Sequence, residues 1–289
     1  IRFLSGGSLK VSIFEVVYCA WGREYYAQAC VSAQTLKWWN PSAKVIVYTD
    51  FHSACGAIDE HRSLEESYRL ENPTKTQKLK KIEAIRDSSS KTKGPIIYLD
   101  SDTVVASALE SVLSELPLDS IGVSLDTWRQ NSWSSYEPSP NGGVFFAPDA
   151  GRLESLAIRW RDSYVRDPAI PDQATLVKLV YQPDTNIRVL APEMNARAGE
   201  PLQLSGRVRV LHKYFHRHSN PDPLRLLAFL NSTEDNRVYV PSVRKMFSIG
   251  GKAPFSPRTE QLAEQPTEYE RVTYANLWGF EDSIERLFG

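Results

Sequence analysis

The segment Pro95-Ile-Ile-Tyr-Leu-Asp-Ser-Asp-Thr-Val-Val105 is the most informative part of the chain, because its apolar run ends abruptly in two carboxylates. Ile96–Leu99 has the continuous apolar character of a strand buried on both faces of a parallel sheet. Asp100 and Asp102 follow at the strand end, where open α/β sheets bind their ligands. Residues i and i+2 of an extended chain point to the same side, so we expect both carboxylates to face one point. Paired carboxylates suit Mg²⁺ or Mn²⁺, which keep positions open for phosphate oxygens.

The sequence around this segment alternates strands with helices. Val11–Ala20 and Lys44–Tyr48 are predicted strands on either side of a helix over Tyr25–Trp39, and such a β-α-β opening implies parallel pairing. Further helices are predicted over Thr74–Arg86, Ser107–Leu116, Asp149–Arg166 and Pro171–Tyr181, further strands over Ser120–Leu125, Gly142–Ala147, Ile187–Leu190 and Val208–Leu211, and loops over Ser88–Lys93 and Asp126–Pro140. The alternation predicts an α/β fold, with a mainly parallel central sheet flanked by helices.

Length and composition favour one large domain. The 289 residues, of which 42% are hydrophobic, are enough for a single domain with an appendage. We expect a domain over residues 11–218 and a C-terminal extension over 219–289. The extension is rich in Pro and Arg and has one amphipathic helical pattern, Asn276–Phe288. It is therefore expected to pack on the domain rather than to form a second core.

Charge and cysteine content argue against several classes of protein. The net charge of −1 gives no basic field for nucleic acid, and no apolar run reaches the length of a membrane span. Cys19, Cys30 and Cys55 are an odd number and do not form a disulfide framework. They fit a reducing compartment, so we expect a cytoplasmic protein. Because Ile1 is not Met, the sequence also leaves open a fragment that has lost a signal or an anchor.

A histidine is predicted to complete the metal site. The strand Val208–Leu211 delivers His212 at its carboxyl end, which is also where Asp100 and Asp102 are expected. Mn²⁺ tolerates such a mixed set of oxygen and nitrogen ligands better than Mg²⁺ does. Two plainer alternatives remain open, a solvated Asp-x-Asp turn and a surface histidine. A zinc site from His212, His216 and His218 is less favoured, because no Cys lies nearby and His-Glu-x-x-His is absent.

A basic helix precedes the acidic strand. Its charged members are Lys75, Lys78, Lys80, Lys81 and Arg86. Lys78 and Lys81 lie three residues apart and share a helix face. Together with a cation, one or two lysines would neutralise a diphosphate, and Lys78 is the favoured residue. The alternative is a solvated helix surface.

Two further motifs follow the acidic strand. Asn141-Gly142-Gly143 is predicted to form a tight turn before an apolar strand, where glycines permit close approach of a ligand. Asp172-Gln173 opens a helix, where Asp172 either caps the helix, worth about 1 kcal/mol, or grips sugar hydroxyls together with Gln173. No phosphate-loop or dinucleotide-binding glycine motif and no G-x-S-x-G elbow is present, which argues against those nucleotide folds and against a serine hydrolase.

In chain order, these motifs resemble those of GT-A nucleotide-sugar glycosyltransferases, in particular the family 8 retaining transferases, the glycogenin-like group. The likeness runs roughly from Phe14 to His218. It comprises the β-α-β opening, Lys78, Leu-Asp-Ser-Asp, Asn-Gly-Gly-Val, Asp-Gln, Pro-Glu-Met-Asn and Val-Leu-His. In that group an Asp-x-Asp and a late His bind Mn²⁺. The resemblance therefore implies that Asp100, Asp102 and His212 are metal ligands.

The resemblance also implies roles for the remaining site residues. It implies that Ala20, Trp21, Tyr25 and Asp50 contact the nucleoside, and that Lys78 contacts the phosphates or the donor sugar. It further implies that Asn141, Gly142 and Gly143 lie under the donor sugar, and that Asp172 and Gln173 lie beside its anomeric carbon. The family's late His is usually followed by Gly and a Lys-Pro-Trp segment. Here Lys213-Tyr-Phe-His-Arg-His218 follows, so Lys213, His216 or Arg217 would have to replace the diphosphate clamp. Aromatic residues of the 126–140 loop would shape an acceptor site or pack as a flap.

The implied reaction is metal-dependent transfer of a sugar from a nucleoside-diphosphate sugar, with a UDP-sugar favoured, to a hydroxyl of a carbohydrate or another acceptor. Mn²⁺ or Mg²⁺ would be the cofactor, and the motif order favours retention of configuration. An inverting enzyme would need a carboxylate base, for which Asp172 is the first choice. Two alternatives remain: a nucleotidyltransferase that makes nucleotide sugars, and a non-catalytic sugar-binding or scaffold protein with a degenerate site.

Overall fold

A computed structural model of the chain describes residues 14–64, 73–126, 139–167, 169–212, 223–233, 235–249 and 258–263. The strands and helices, in chain order, are β1 (Glu15–Cys19), α1 (Arg23–Trp39), β2 (Lys44–Tyr48), β3 (Glu60–Arg62), α2 (Pro73–Lys91), β4 (Ile96–Leu99), β5 (Thr103–Val105), α3 (Glu110–Glu115), β6 (Ile121–Asp126), β7 (Ser139–Ala147), α4 (Ala150–Arg166), α5 (Asp172–Val180), β8 (Ile187–Leu190), β9 (Ala196–Arg197), β10 (Leu202–Leu204), β11 (Val210–His212), α6 (Pro223–Leu230), β12 (Arg237–Val240), β13 (Lys245–Ser248) and β14 (Arg258–Gln261).

The core of the molecule is a seven-stranded sheet with strand order β3-β2-β1-β4-β7-β6-β8. Neighbouring strands from β3 to β4 pair in parallel, as do β6 and β8, whereas β7 runs antiparallel to β4 and β6. The predicted α/β fold with a mainly parallel central sheet is therefore confirmed.

The side chains of β4 point alternately to the two faces of this sheet, so the strand contributes core residues to both. Ile97 and Leu99 join the hydrophobic cluster that contains α1, and Ile96 and Tyr98 join the cluster that contains α2, α4 and α5. All of these side chains are almost completely buried. The sheet is consequently covered by helices on both faces, which explains why its central strands are continuously apolar.

Helix α2 is longer than its sequence predicts. The expected loop over Ser88–Lys93 is wrong, because the helix continues to Lys91. Ser88 and Ser89 are buried, and the Ser88 carbonyl accepts hydrogen bonds from Thr92 N and Thr92 Oγ1. Packing of this face against the domain outweighs the weak helix propensity of consecutive serines.

Strand β7 begins earlier than predicted. The expected tight turn over Asn141-Gly142-Gly143 is wrong, since all three residues lie inside β7. Pairing with β4 covers Val144–Ala147, and the register against β6 shifts between Val123 and Leu125, so the three residues form an irregular stretch within the strand. Asn141 Oδ1 accepts a 2.8 Å hydrogen bond from Gly143 N across this stretch, and the chain continues without reversing direction. The aromatic residues Trp128, Trp133 and Tyr136 lie outside the described residues.

The segment beyond residue 222 buries more than expected. Helix α6 and strands β12–β14 pack with β10 and β11 around a third hydrophobic cluster, which includes Leu211, Leu227 and Met246. The cluster also contains Val104, Ala196 and Leu211, so it joins this region to the preceding part of the chain rather than forming a separate core. Short strands of three or four residues carry too little periodicity to be recognised in sequence. The boundary at residues 218 and 219 stays a prediction. Within the described ranges, no helix combines the length and apolarity that crossing a membrane requires.

Candidate functional site

One edge of the central sheet collects the predicted site residues. Strands β1, β2 and β4 run in parallel, so their carboxyl ends bring Ala20, Asp50 and Asp100 to the same edge. Strand β7 runs the opposite way, with Val144 opposite Leu99, and its amino-terminal half reaches that edge too. The Asp100 N–H donates to the Gly143 carbonyl at 2.8 Å. The topology therefore places β7 directly beside the Asp-x-Asp segment.

The Asp-x-Asp segment is a turn. The expectation of an extended segment is wrong, because Ser101 and Asp102 form a turn between β4 and β5. Thr103 Oγ1 stabilises this turn by donating to the Asp100 carbonyl at 2.9 Å, and it lies 2.7 Å from Ser32 Oγ of α1. The two carboxylates nevertheless converge, because the turn folds Asp102 back toward Asp100.

His212 reaches the site by a different route from the one predicted. It lies within β11, which belongs to a three-stranded sheet with β5 and β9 rather than to the central sheet. β11 pairs antiparallel with β5, so His212 is opposite Thr103 and next to the turn that holds both aspartates. The strand pair that follows the turn thus delivers the histidine.

Asp100, Asp102 and His212 form a compact set of possible ligand atoms. His212 Nε2 lies 3.3 Å from Asp102 Oδ1 and 3.5 Å from Asp100 Oδ2, and the three ligand atoms lie within 4.8 Å of one another. Nε2 is buried and has no hydrogen-bond partner among the described residues. Two carboxylates and one imidazole nitrogen, which can exchange its proton for a cation, fit Mn²⁺, or Mg²⁺ less well. No other group of three or more His, Cys, Asp or Glu in the described part of the chain could hold a metal.

Lys81 is a site residue that sequence reasoning placed behind Lys78. Its Nζ lies 2.8 Å from Asp100 Oδ1, the same oxygen that accepts a 2.8 Å hydrogen bond from the Tyr98 hydroxyl. Burial lowers the pKa of Lys81, but Asp100 and then Asp172 raise it, with a net increase. Burial raises the pKa of Asp100, but Lys81 and His212 hold it well below its usual range. Both groups are therefore charged in the metal-free site.

Four further predicted site residues, Lys78, Gln173, Gly142 and Gly143, lie near this centre. Lys78 Nζ is 3.9 Å from Asp172 Oδ2 and its side chain is 47% exposed, so it remains available to a ligand at this edge. Gln173 Nε2 donates to the Pro140 carbonyl at 3.1 Å, which ties the start of α5 to β7. An added Cβ at Gly143 would point at His212 and Asp100, whereas one at Gly142 would point at Trp160 and Leu176 of the helix layer.

The residues expected near the nucleoside are held at the ends of β1 and β2. Asp50 Oδ1 accepts a 2.6 Å hydrogen bond from the backbone of Gly22, whose φ of 88° favours glycine. Ala20 is buried, and Lys80 Nζ lies 4.4 Å from the centre of the Trp21 ring. Tyr25 is in the first turn of α1. Their nucleoside contacts stay predictions, and Lys213 lies outside the described residues.

Replacing Lys81 by Met should reduce the free energy of unfolding of the metal-free protein by about 1–3 kcal/mol, because it strands the partly buried carboxylate of Asp100. The matched control is Lys91→Met in the same helix, which removes a more exposed pair with Asp87 and should cost less than about 1 kcal/mol. Urea unfolding of both variants measures the difference. Equal losses in the free energy of unfolding would mean that the buried Lys81–Asp100 pair stabilises the fold no more than the exposed Lys91–Asp87 pair does.

The metal-free protein should lose stability as the pH rises from about 6.5 to about 9. Burial lowers the pKa of His212, but Asp102 and Asp100 raise it from 6.5 to about 9. The folded state therefore binds an extra proton in this window, and that stabilisation disappears above it. Urea unfolding in EDTA across the window measures the effect, which His212→Gln should flatten and the exposed-site control His52→Gln should not. Because the pKa of Cys55 is lowered to about 7 and acts in the opposite sense, the difference between variants is decisive: equal profiles for the parent protein and His212→Gln would contradict the shift.

Comparison with known proteins finds similarity in structure only. No protein-family model and no curated protein sequence matches the chain. An active-site mutant of LgtC superposes with a TM-score of 0.52 at 16% identity, covering 75% of this chain and 94% of that one. The galactosyltransferase LgtC in complex with donor and acceptor sugar analogs superposes with a TM-score of 0.50 at 17% sequence identity, and the coverage of both chains is the same. Mouse xyloside xylosyltransferase 1 superposes with a TM-score of 0.49 at 13% sequence identity, covering 73% of this chain and 100% of that one. This likeness is too weak to support an argument. The LgtC structures show that this chain has the GT-A fold.

Proposed function

We propose that this protein is a metal-dependent glycosyltransferase of the family 8 type, which moves a sugar from a nucleoside-diphosphate sugar to an acceptor hydroxyl. The observation that carries the proposal is the Asp100–Asp102–His212 set, in which the buried His212 Nε2 lies 3.3 Å from Asp102 Oδ1, at the carboxyl-terminal edge of a GT-A sheet. A UDP-sugar is the favoured donor, and a carbohydrate is the favoured acceptor. The complex of LgtC with donor and acceptor sugar analogs, on a similar fold, supports both kinds of partner.

Asp100, Asp102 and His212 would hold Mn²⁺ or Mg²⁺ between them. When bound, the cation supplies Lewis-acid stabilisation of the charge that develops on the diphosphate leaving group. Lys81 keeps Asp100 ionised and in place through their 2.8 Å ion pair. Lys78, which is exposed beside Asp172, would add a positive charge near the phosphates or the donor sugar. Lys213 is proposed as part of the diphosphate clamp.

The remaining residues would orient the donor. Asp50, Trp21, Tyr25 and Ala20 lie at the edge where β1 and β2 end, and would contact the nucleoside. Asn141, Gly142 and Gly143 would line the floor beneath the sugar. Asp172 and Gln173, in the first turn of α5, would border its reacting face. Because transfer with retention needs no strong base, these two groups would only position and support that face.

Thermal unfolding with UDP and a panel of UDP-sugars, each with Mn²⁺ or with EDTA, tests this function. A ligand at one hundred times its Kd raises the free energy of unfolding by about 2.7 kcal/mol through linkage, and we expect such a shift only when metal and nucleotide are both present. A donor found in this way can then be assayed for transfer, and the anomeric configuration of the product reports retention. Absence of any metal-dependent nucleotide binding would favour a scaffold, and release of pyrophosphate from a nucleoside triphosphate would favour a nucleotidyltransferase.

A further inference from the structure

Asn195 lies against the far side of the His212 ring. It follows the single turn Pro192–Met194 and precedes β9, which pairs in parallel with β11 so that Arg197 is opposite His212. This register brings Asn195 Oδ1 to 2.7 Å from His212 Nδ1. Asn195 is 4% exposed and His212 is 1% exposed, so water does not compete for the contact.

This contact determines which ring nitrogen of His212 carries the lone pair when the ring is neutral. The amide oxygen is an acceptor only, so it requires a proton on His212 Nδ1. A histidine that ligates a metal is neutral and has one N–H, so with that proton on Nδ1 the lone pair of Nε2 is free for the cation. Nε2 is the nitrogen that lies 3.3 Å from Asp102 Oδ1 and has no hydrogen-bond partner within the described ranges. A cation held between Asp100 and Asp102 would therefore meet the Nε2 lone pair.

We infer that Asn195 is a positioning residue of the proposed metal site: it holds His212 as the Nδ1–H tautomer, with Nε2 aimed between Asp100 and Asp102. The inference rests on the proposed function. An amide suits this position because it orients the ring without adding a third negative charge beside the two aspartates. Removal of such outer partners typically weakens metal affinity about 10- to 100-fold.

Two variants separate orientation of the ring from support of the fold. Asn195→Leu has a similar volume and removes the acceptor, whereas Asn195→Asp keeps an acceptor oxygen for Nδ1–H. The Kd for Mn²⁺ in the presence of UDP is measured by the electron paramagnetic resonance signal of free Mn²⁺. A second readout is the spin-echo modulation of bound Mn²⁺ by ¹⁵N in protein with labelled histidine, where His212→Gln identifies the signal that belongs to His212.

We expect Asn195→Leu to raise the Kd about 10- to 100-fold and to weaken the ¹⁵N coupling, while Asn195→Asp stays close to the parent protein in both. The inference is overturned if Asn195→Leu keeps the parent Kd and coupling, or if folded Asn195→Asp loses the coupling. The Asp variant alone decides the matter if the Leu variant does not fold. Failure of the parent protein to bind Mn²⁺, with or without UDP, would overturn both the proposed function and the inference. An effect confined to the Asn195 variants, with Mn²⁺ binding by the parent protein intact, bears on the inference alone.

Discussion

Replacing Asp102 by Asn is expected to lower metal-dependent sugar transfer by about 10³-fold, the scale on which loss of one strong electrostatic contribution to the transition state is felt. The change preserves the shape of the side chain and removes one negative charge. Asp102 is 6% exposed, and its Oδ1 is the carboxylate oxygen nearest to His212 Nε2, at 3.3 Å. An uncharged amide in this place would bind a divalent cation weakly, and the leaving diphosphate would lose its counter-charge.

The decisive measurement is the initial rate of transfer across a titration of Mn²⁺, together with Mn²⁺-dependent UDP binding. A matched control is Asp119→Asn, which removes the same charge from an exposed turn before β6 and should leave both quantities unchanged. Circular dichroism and thermal unfolding show whether each variant is folded. Full activity of a folded Asp102→Asn protein would mean that the Asp-x-Asp turn is not the metal site.

The central strands could be predicted because a strand that is buried on both faces has a continuous run of apolar residues. The predicted bounds of Lys44–Tyr48 are those that the structure has, and Ile96–Leu99 is a strand in both. Continuous apolar runs arise when helices cover the two sides of a sheet, and no other information is needed to recognise them. The strand end places Asp100, whereas Asp102 converges with it through the turn over Ser101 and Asp102 and not through the predicted extended conformation.

The route by which His212 reaches the aspartates could not be predicted. It depends on the pairing of two three-residue strands, β5 and β11, whose residues are more than a hundred positions apart in sequence. Strands of this length have no measurable periodicity, and their pairing is decided by tertiary packing. The short apolar run before His212 indicated the histidine that lies beside the two aspartates, but the predicted sheet is wrong.

The choice between Lys78 and Lys81 could not be made from helix periodicity. Lys81 shares a face with the buried Ile85 and Ser88, but Lys78 stands at the same spacing from Ile82 and Ile85, which are also buried. Only the tertiary structure shows that Lys81 reaches Asp100, whereas Lys78 is half exposed beside Asp172. The role of Lys78 stays a prediction.

The second large effect is expected at Gly143, where adding a single methyl group should destroy the site. An ideal Cβ at Gly143 would lie 2.3 Å from His212 Cε1, 2.7 Å from Asp100 Oδ2 and 2.8 Å from Asn141 Oδ1. These separations are far below van der Waals contact. The neighbours have little freedom to move, since His212 is held by Asn195 and Asp100 by Lys81 and Tyr98. Gly143→Ala must therefore displace His212, Asp100 and Asn141 from their present positions, and overpacking of this kind typically costs about 1–3 kcal/mol.

The neighbouring glycine provides the control, because adjacent strand residues point to opposite faces of a sheet. A Cβ at Gly142 would lie 3.2 Å from Trp160 and 3.4 Å from Leu176, so Gly142→Ala presses on the helix layer rather than on the ligands. Both variants are expected to lose some stability in urea unfolding, but only Gly143→Ala should lose Mn²⁺-dependent UDP binding at temperatures where it remains folded. If the two variants bind metal and nucleotide equally well, then the space above Gly143 is not where the cation and the diphosphate meet. That result would remove the geometric basis of the proposed site, whatever activity the protein has.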